Sequence, residues 1–371
     1  MEDEKIIYDA FPPDRQPSFF KKQLPQMNRI QSVDAIRVLA ILSVIVIHTA
    51  PFQTQPLLGE GELYAAIIIN QVARFAVPFF FILSGYFWAL KFSNDSMVIQ
   101  PTLKVIKRIA LIFIAWSLIY SLPLNLAETF SVPPLGPITV MYEVLITAFK
   151  DSPLDLILEG TKVHLWYLMS LLLSLAISAV FLRFQLRLPL LVLAVILFAI
   201  GLAGKAYRDT PLGFIVAFNF RDGPFFSLIF FVTGYFLQRR GPSDKWLVPG
   251  IFLTVLGLIM HFTELMALHR FWGTSMLQDY VLGTYFMGLG VALIALSNTK
   301  YLHLTFLTYF GPFVLGIYVS HLGFITLLKP LNRKYAGDWI WELTYILLVF
   351  LLSYLLTFLL SKFRFTRKIV I

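Results

Sequence analysis

Ten apolar stretches recur along this chain, at about 33–51, 63–90, 105–124, 164–183, 187–204, 224–238, 247–263, 279–297, 305–328 and 339–361. A helix needs about 20 apolar residues to cross the hydrocarbon core of a bilayer, and lipid offers backbone groups no hydrogen bonds. The pattern therefore predicts an all-α polytopic membrane helix bundle of about ten transmembrane helices, in which 224–238 is short for a full crossing. With 58% hydrophobic residues and a mean hydropathy of +0.76, a soluble domain of ordinary composition is excluded. No repeat or linker divides the chain, so residues 1–32 read as a polar cytosolic tail and 33–371 as one membrane domain. That tail has no apolar core that would make it a secretory signal.

Charge sets the expected orientation. An even number of crossings puts both termini on one side, and the Lys and Arg residues favour that side about twofold, which makes it cytoplasmic. A net charge of +9 in so apolar a chain then reflects orientation in the bilayer and not nucleic-acid binding. The absence of cysteine excludes disulfides, thiolate metal sites and cysteine nucleophiles. The long connection 125–163 faces outward, opens on Pro133, Pro134 and Pro137, and holds an amphipathic stretch near 139–159 that either lies on the surface or caps a cavity.

Three ionisable residues lie in the first apolar stretch. At about 100° per residue, the eleven steps from Arg37 to His48 turn through roughly 1100°, so the two side chains share one face about 16 Å apart. Asp34 lies on the same side, placed either to orient Arg37 or to cap the helix start. Charge inside a membrane is expensive and marks candidate sites. Arginine below histidine on one face suggests a track for an anionic ligand, and histidine is the usual base near neutral pH.

Other candidates follow along the chain. Arg74 falls about eleven residues into the second stretch, where it needs a partner or a cavity, and Pro78 frees the Arg74 carbonyl and can kink the helix there. Ser84-Gly85 reads first as a small-residue helix contact. His164-Leu-Trp166-Tyr167 opens the fourth stretch, with Trp166 and Tyr167 as interfacial anchors and His164 as either packing or acceptor binding. Tyr318 and His321 sit on the ninth stretch, His321 at about the depth of His48, as packing or as part of one outward-leaning cavity. His261 and Glu264 fall at comparable height, while His269 and His303 look like boundary residues. Neither a phosphate-cradling glycine loop nor a metal-ligand cluster is present, so no metal and no bound cofactor is expected.

At these residues the chain resembles the integral-membrane acyltransferase family 3. The matching features are Arg37 and His48 on the first helix, the Arg74-Phe-Ala-Val-Pro78-Phe-Phe-Phe-Ile-Leu-Ser84-Gly85-Tyr86 run, His164-Leu-Trp166-Tyr167, Gly223-Pro-Phe-Phe with Gly234-Tyr235, and Gly316-Ile-Tyr318-Val-Ser-His321. The resemblance implies a multi-pass enzyme of the cell membrane that moves an acyl group, commonly acetyl, from acyl-CoA to a hydroxyl of a surface glycan or its lipid-linked precursor. His48 matches the family's essential histidine, and Arg37 and Arg74 match its motif arginines, associated with donor handling. Asp34, Ser84, His164, Trp166, Tyr318 and His321 complete the expected substrate-binding set. One departure is Val77, where many members carry a second arginine. Two other readings are a transporter that uses His48, Arg74 and His321 as its substrate pathway, and a polysaccharide-export subunit without catalysis.

Overall fold

The computed structural model describes residues 30–52, 65–122 and 136–371. Most of the expected N-terminal tail, residues 1–29, and the Pro133-Pro134 start of the long connection lie outside the described residues. Every regular element among the described residues is helical. The larger helices are α1 (Gln31–Thr49), α2 (Ala65–Ala89), α3 (Ile99–Tyr120), α4 (Gly136–Asp151), α5 (Pro153–Glu159), α6 (Val163–Arg183), α7 (Arg187–Gly204), α8 (Pro224–Gln238), α9 (Leu247–Trp272), α10 (Leu282–Leu296), α11 (Thr305–Leu327) and α12 (Trp339–Ser361).

Each of the ten apolar stretches coincides with one of these helices. Seven helices, α1, α2, α6, α7, α9, α11 and α12, are long and apolar enough to cross a membrane; α8 and α10 are shorter apolar helices. The amphipathic part of the long connection forms α4 and α5, and α5 packs on α6. Expectation and structure differ at two helix ends. The first helix begins at Gln31, with Ile30 in the capping position, so Asp34 lies inside the first turn and is not a cap. Helix α9 runs past residue 263 to Trp272, where Gly273 closes it at φ 65°. Its last turns carry polar groups that find partners in the fold, which hydropathy does not register: Glu264 accepts from the backbone N–H groups of Leu282 and Gly283, and His269 Nδ1 donates to the Thr274 carbonyl.

Helix α1 is central. It touches α2, α10, α11 and α12, and Val33, Ala35, Val38, Ala40, Ile41, Val44 and Ile45 are buried along it. Helices α2 and α8 lie in backbone contact: a Cβ on Gly85 would run into the Phe231 carbonyl, and one on Gly234 into that of Ile82. Within α2, just before Pro78, the helix tightens into a 3-10 turn over Ala73–Phe75. At one end of the bundle the fully buried Asp95 accepts from Arg187, at 2.6 Å, from Tyr235, at 2.8 Å, and from Arg239. This clamp joins the end of α2, the start of α7 and the end of α8.

The clamp also fixes relative depth. Helix α8 leaves it at Gln238 and, with fifteen residues at about 1.5 Å each, reaches only about 22 Å. Its neighbours α6 and α7 have 21 and 18 residues. Helix α10 is equally short, and its last turn is level with the start of α1, where Ser32 Oγ donates to the Ala295 carbonyl at 2.6 Å. The segments before α8 and α10 are therefore recessed to the height of His48, about 24 Å above Ser32.

Candidate active site

Three histidines from three helices meet at that height. The rings of His48 and His321 have centroids 5.2 Å apart, and those of His321 and His164 5.1 Å. Tyr120 from α3 meets His164 edge-on at 5.2 Å, Tyr318 lies 5.5 Å from it, and Tyr167 lies 5.4 Å from Tyr318. The similar depth of His48 and His321 was legible from helix rise; their adjacency required the α1–α11 packing, and Tyr120 carried no signal in sequence. His164 and His321 are buried, whereas His48 is partly exposed and so is open to a ligand.

Backbone carbonyls set two of the rings. His321 Nδ1 lies 2.5 Å from the Tyr318 carbonyl and His164 Nε2 lies 3.3 Å from that of Val319; a carbonyl only accepts, so both nitrogens donate. The phenols point elsewhere: Tyr318 donates to the His164 carbonyl and Tyr120 to that of Val319. Ser84 donates to the Phe80 carbonyl at 2.7 Å, so Tyr167, 3.2 Å from Ser84 Oγ, donates to it.

Beside the histidines the recessed segments bring in charge. Arg74 Nη1 pairs with Asp279 at 3.0 Å and Arg74 Nε donates to Asn70 at 3.1 Å. Lys205 holds the other Asp279 oxygen at 2.9 Å. Arg221 bridges Glu159 at 2.6 Å and Asp222 at 3.1 Å, with its guanidinium 5.0 Å from the Trp166 ring. His321, Arg74, Arg221 and Asp279 all lie within electrostatic reach of His48. Burial pushes the Asp279 carboxyl up, but Arg74, Arg221 and Lys205 outweigh it and hold it well below the usual carboxylate range. Burial raises Glu159 too, and there the neighbouring Asp222 adds to it, so that its pKa reaches about 7 despite Arg221.

Arg74 thus has the partner that its position demanded. That partner was missed at the edge of the 279–297 stretch, and Lys205, Arg221 and Glu159 were missed because charged residues in connections read as solvated; the shortness of 224–238 was the available signal. His261 does not join the layer. It is bonded to Gln71 at 2.9 Å and Thr284 at 3.0 Å, and belongs to the α2–α9–α10 packing.

Toward the Asp95 end, Arg37 is about one-third exposed, pairs with Asp34 at 3.5 Å, and lies 5.0 Å from the Phe87 ring of α2. It acts electrostatically on Tyr167. Arg37 and His48 therefore both face the bundle interior, and the rings of Tyr167, Tyr318 and His321 link their two levels. Among the described residues no cluster of histidine and acidic groups has the makings of a metal site.

The fold and this layer define a membrane-embedded helix bundle with an interior polar site. Residues 30–361 match the acyltransferase domain of family 3, nearly the whole chain, and the chain belongs to that family. It is similar to two amino-acid racemases of Enterococcus faecalis, 28% identical over 66% of this chain and 34% of the relative, and 29% identical over 56% and 28%. A serine/alanine racemase of Enterococcus gallinarum is 26% identical over 62% of this chain and 32% of its own. The chain thus spans about a third of the length of these curated relatives. No solved structure matches significantly.

Proposed function

We propose that this membrane acyltransferase is a multi-pass O-acyltransferase of the cell membrane, which moves an acyl group, acetyl by preference, from acyl-CoA to a hydroxyl of a surface polysaccharide or its lipid-linked precursor. The observation that carries the reading is the inward-facing pair on α1, Arg37 below and His48 above, joined to His321 and His164. Coenzyme A has phosphates at one end and a thioester at the other, so a donor threading the bundle needs a cation low and a base higher up. In this reading Arg37 meets the anionic end. Neutral His48 removes the acceptor hydroxyl's proton as its oxygen attacks the thioester carbonyl carbon. The carbon–sulfur bond then breaks, and the thiolate leaves as CoA after recovering that proton. Arg74, held by Asp279, supplies positive potential where the oxyanion develops.

The test is CoA release by the purified protein in nanodiscs, supplied with acetyl-CoA and a glycan acceptor. Release that depends on both supports the reading, and its absence with a range of acyl-CoAs and acceptors removes it.

A second reading draws on the relatives, whose names refer to amino acids. Arg74 beside Asp279 offers a cation and an anion to a zwitterion. A carrier of serine or alanine would accumulate either in proteoliposomes without releasing CoA.

A further inference from the structure

His261 stands apart from the histidine layer, yet its hydrogen bonds lead to Arg74. His261 Nε2 lies 2.9 Å from Gln71 Oε1, and Gln71 Nε2 lies 3.1 Å from Asn70 Oδ1, which also receives Arg74 Nε at 3.1 Å. The order of protons along this chain is fixed. A guanidinium only donates, so the Asn70 atom that meets Arg74 is the oxygen. Gln71 Nε2 also reaches the Gln278 carbonyl, at 3.2 Å, and a carbonyl only accepts, so the Gln71 atom there is the nitrogen and the one facing His261 is the oxygen. His261 therefore carries a proton on Nε2. In the neutral ring Nδ1 accepts, and Thr284 Oγ1, 3.0 Å away, donates to it.

Gln71, His261 and Thr284 are fully buried, a cost that only a connected network offsets. The network is not needed to hold α9 against α10, because those helices already touch backbone to backbone: a Cβ on Gly257 would run into Met287, and one on Gly283 into the backbone of His261. Its other end is Arg74. There Nε is held by Asn70 and Nη1 by Asp279, two donors on one planar group, so the plane cannot turn while both bonds last. Asn70 is in turn held by Gln71, and Gln71 by His261 and the Gln278 carbonyl.

We propose that Gln71 and His261 are positioning residues for Arg74, which hold its guanidinium through Asn70 in the orientation that meets the developing oxyanion. This rests on the acyl-transfer reading, and adds to it two residues from outside the histidine layer. They act only through Arg74, so their loss lowers kcat and leaves the KM for acetyl-CoA in place.

Two measurements test it. The first is nitrogen-15 spectroscopy of wild-type protein in nanodiscs, labelled in histidine and arginine. It should find His261 neutral with its proton on Nε2; a neutral ring with the proton on Nδ1 overturns the proposal. In His261→Phe, which keeps a ring of similar size without its nitrogens, the Arg74 Nε–H resonance should move and exchange faster with solvent, and an unmoved resonance overturns the proposal. The second is acyl transfer from acetyl-CoA. His261→Phe should lower kcat by about 10- to 100-fold, with the KM for acetyl-CoA unchanged, and His261→Gln, whose amide can donate to Gln71, should restore part of the loss. In an Arg74→Gln background His261→Phe should cost nothing further, whereas an equal loss in both backgrounds overturns the proposal. An Arg74 resonance that moves in His261→Phe, in a protein whose wild type transfers no acyl group to any acceptor, would remove the acyl-transfer reading and leave the chain from His261 to Arg74 standing.

Discussion

His48 and His321 face each other at 5.2 Å across the contact between α1 and α11, and among the described residues neither ring is hydrogen-bonded to a carboxylate. The dyad therefore has no acidic partner of the kind that backs the histidine of a serine-protease triad. In the proposed acyl transfer His48 therefore accepts the proton as a neutral imidazole without a carboxylate behind it.

Replacing His48 by Ala or Gln should lower acyl transfer by about 10²- to 10⁴-fold, the range that positioned proton transfer contributes. Size-exclusion profiles of the variants should match wild type, because the His48 side chain is partly exposed and no backbone contact depends on it. Near-wild-type transfer by either variant would remove its assignment as base.

The Glu159–Arg221–Asp222 bridge should respond to pH. Glu159 is raised from the ordinary carboxylate value to about 7, by burial first and by Asp222 second, with Arg221 opposing. Its folded pKa exceeds the unfolded one, so folding favours the protonated form: the contribution is fully present below about 4.5 and is lost as pH rises through about 7. Thermal melting of wild type and Glu159→Gln in detergent at pH 5.5 and pH 8.5 isolates this contribution: relative to the variant, the wild type should lose stability at the higher pH. Asp279, shifted in the opposite direction, adds no change across this window.

Gly85→Ala and Gly234→Ala should each destabilise the bundle, by about 1–3 kcal/mol, because the new methyl meets a backbone carbonyl that no rotamer change can move. Chemical denaturation of both variants, compared with Gly241→Ala, separates this from a general loss of glycine, since nothing lies within 4 Å of the Cβ position at Gly241. Because Gly241 has φ 72°, its own substitution carries a backbone penalty, so a larger loss at Gly85 or Gly234 is the discriminating result.

Asp95→Ala should weaken the clamp at its end of the bundle. The carboxylate is fully buried and accepts from Arg187, Tyr235 and Arg239. Its removal leaves the buried Tyr235 hydroxyl without that partner, at about 1–3 kcal/mol. Limited proteolysis between Lys91 and Val98 should become faster; unchanged cleavage and melting would show that the clamp bears no stability.

Much of the architecture was legible because hydropathy over about 20 residues reports burial in lipid directly. The helical period also carried the Arg37–His48 alignment, since both residues belong to one uninterrupted element. What stayed hidden depended on relations between elements. The adjacency of His48, His164 and His321 needs three helices packed in one order, and periodicity within each says nothing of that order. Arg221 and Asp279 were hidden for another reason: Arg221 stands in a connection and Asp279 at the edge of the 279–297 stretch, and only the shortness of α8 and α10 draws both down to the site. Asp34 shows the reverse error, in which a residue suited to capping was weighed as a cap when the helix begins three residues earlier.

The reciprocal glycine contact between α2 and α8 also limits where the molecule can open. Backbones that touch without intervening side chains have no rotamers to rearrange, so these two helices move as a single stiff plank. The seam lined by the rings of α1, α6 and α11 is made of side chains instead, held by single hydrogen bonds to backbone carbonyls, which a rotamer change can break. Side-chain motion alone can therefore widen the interior at that seam and not between α2 and α8.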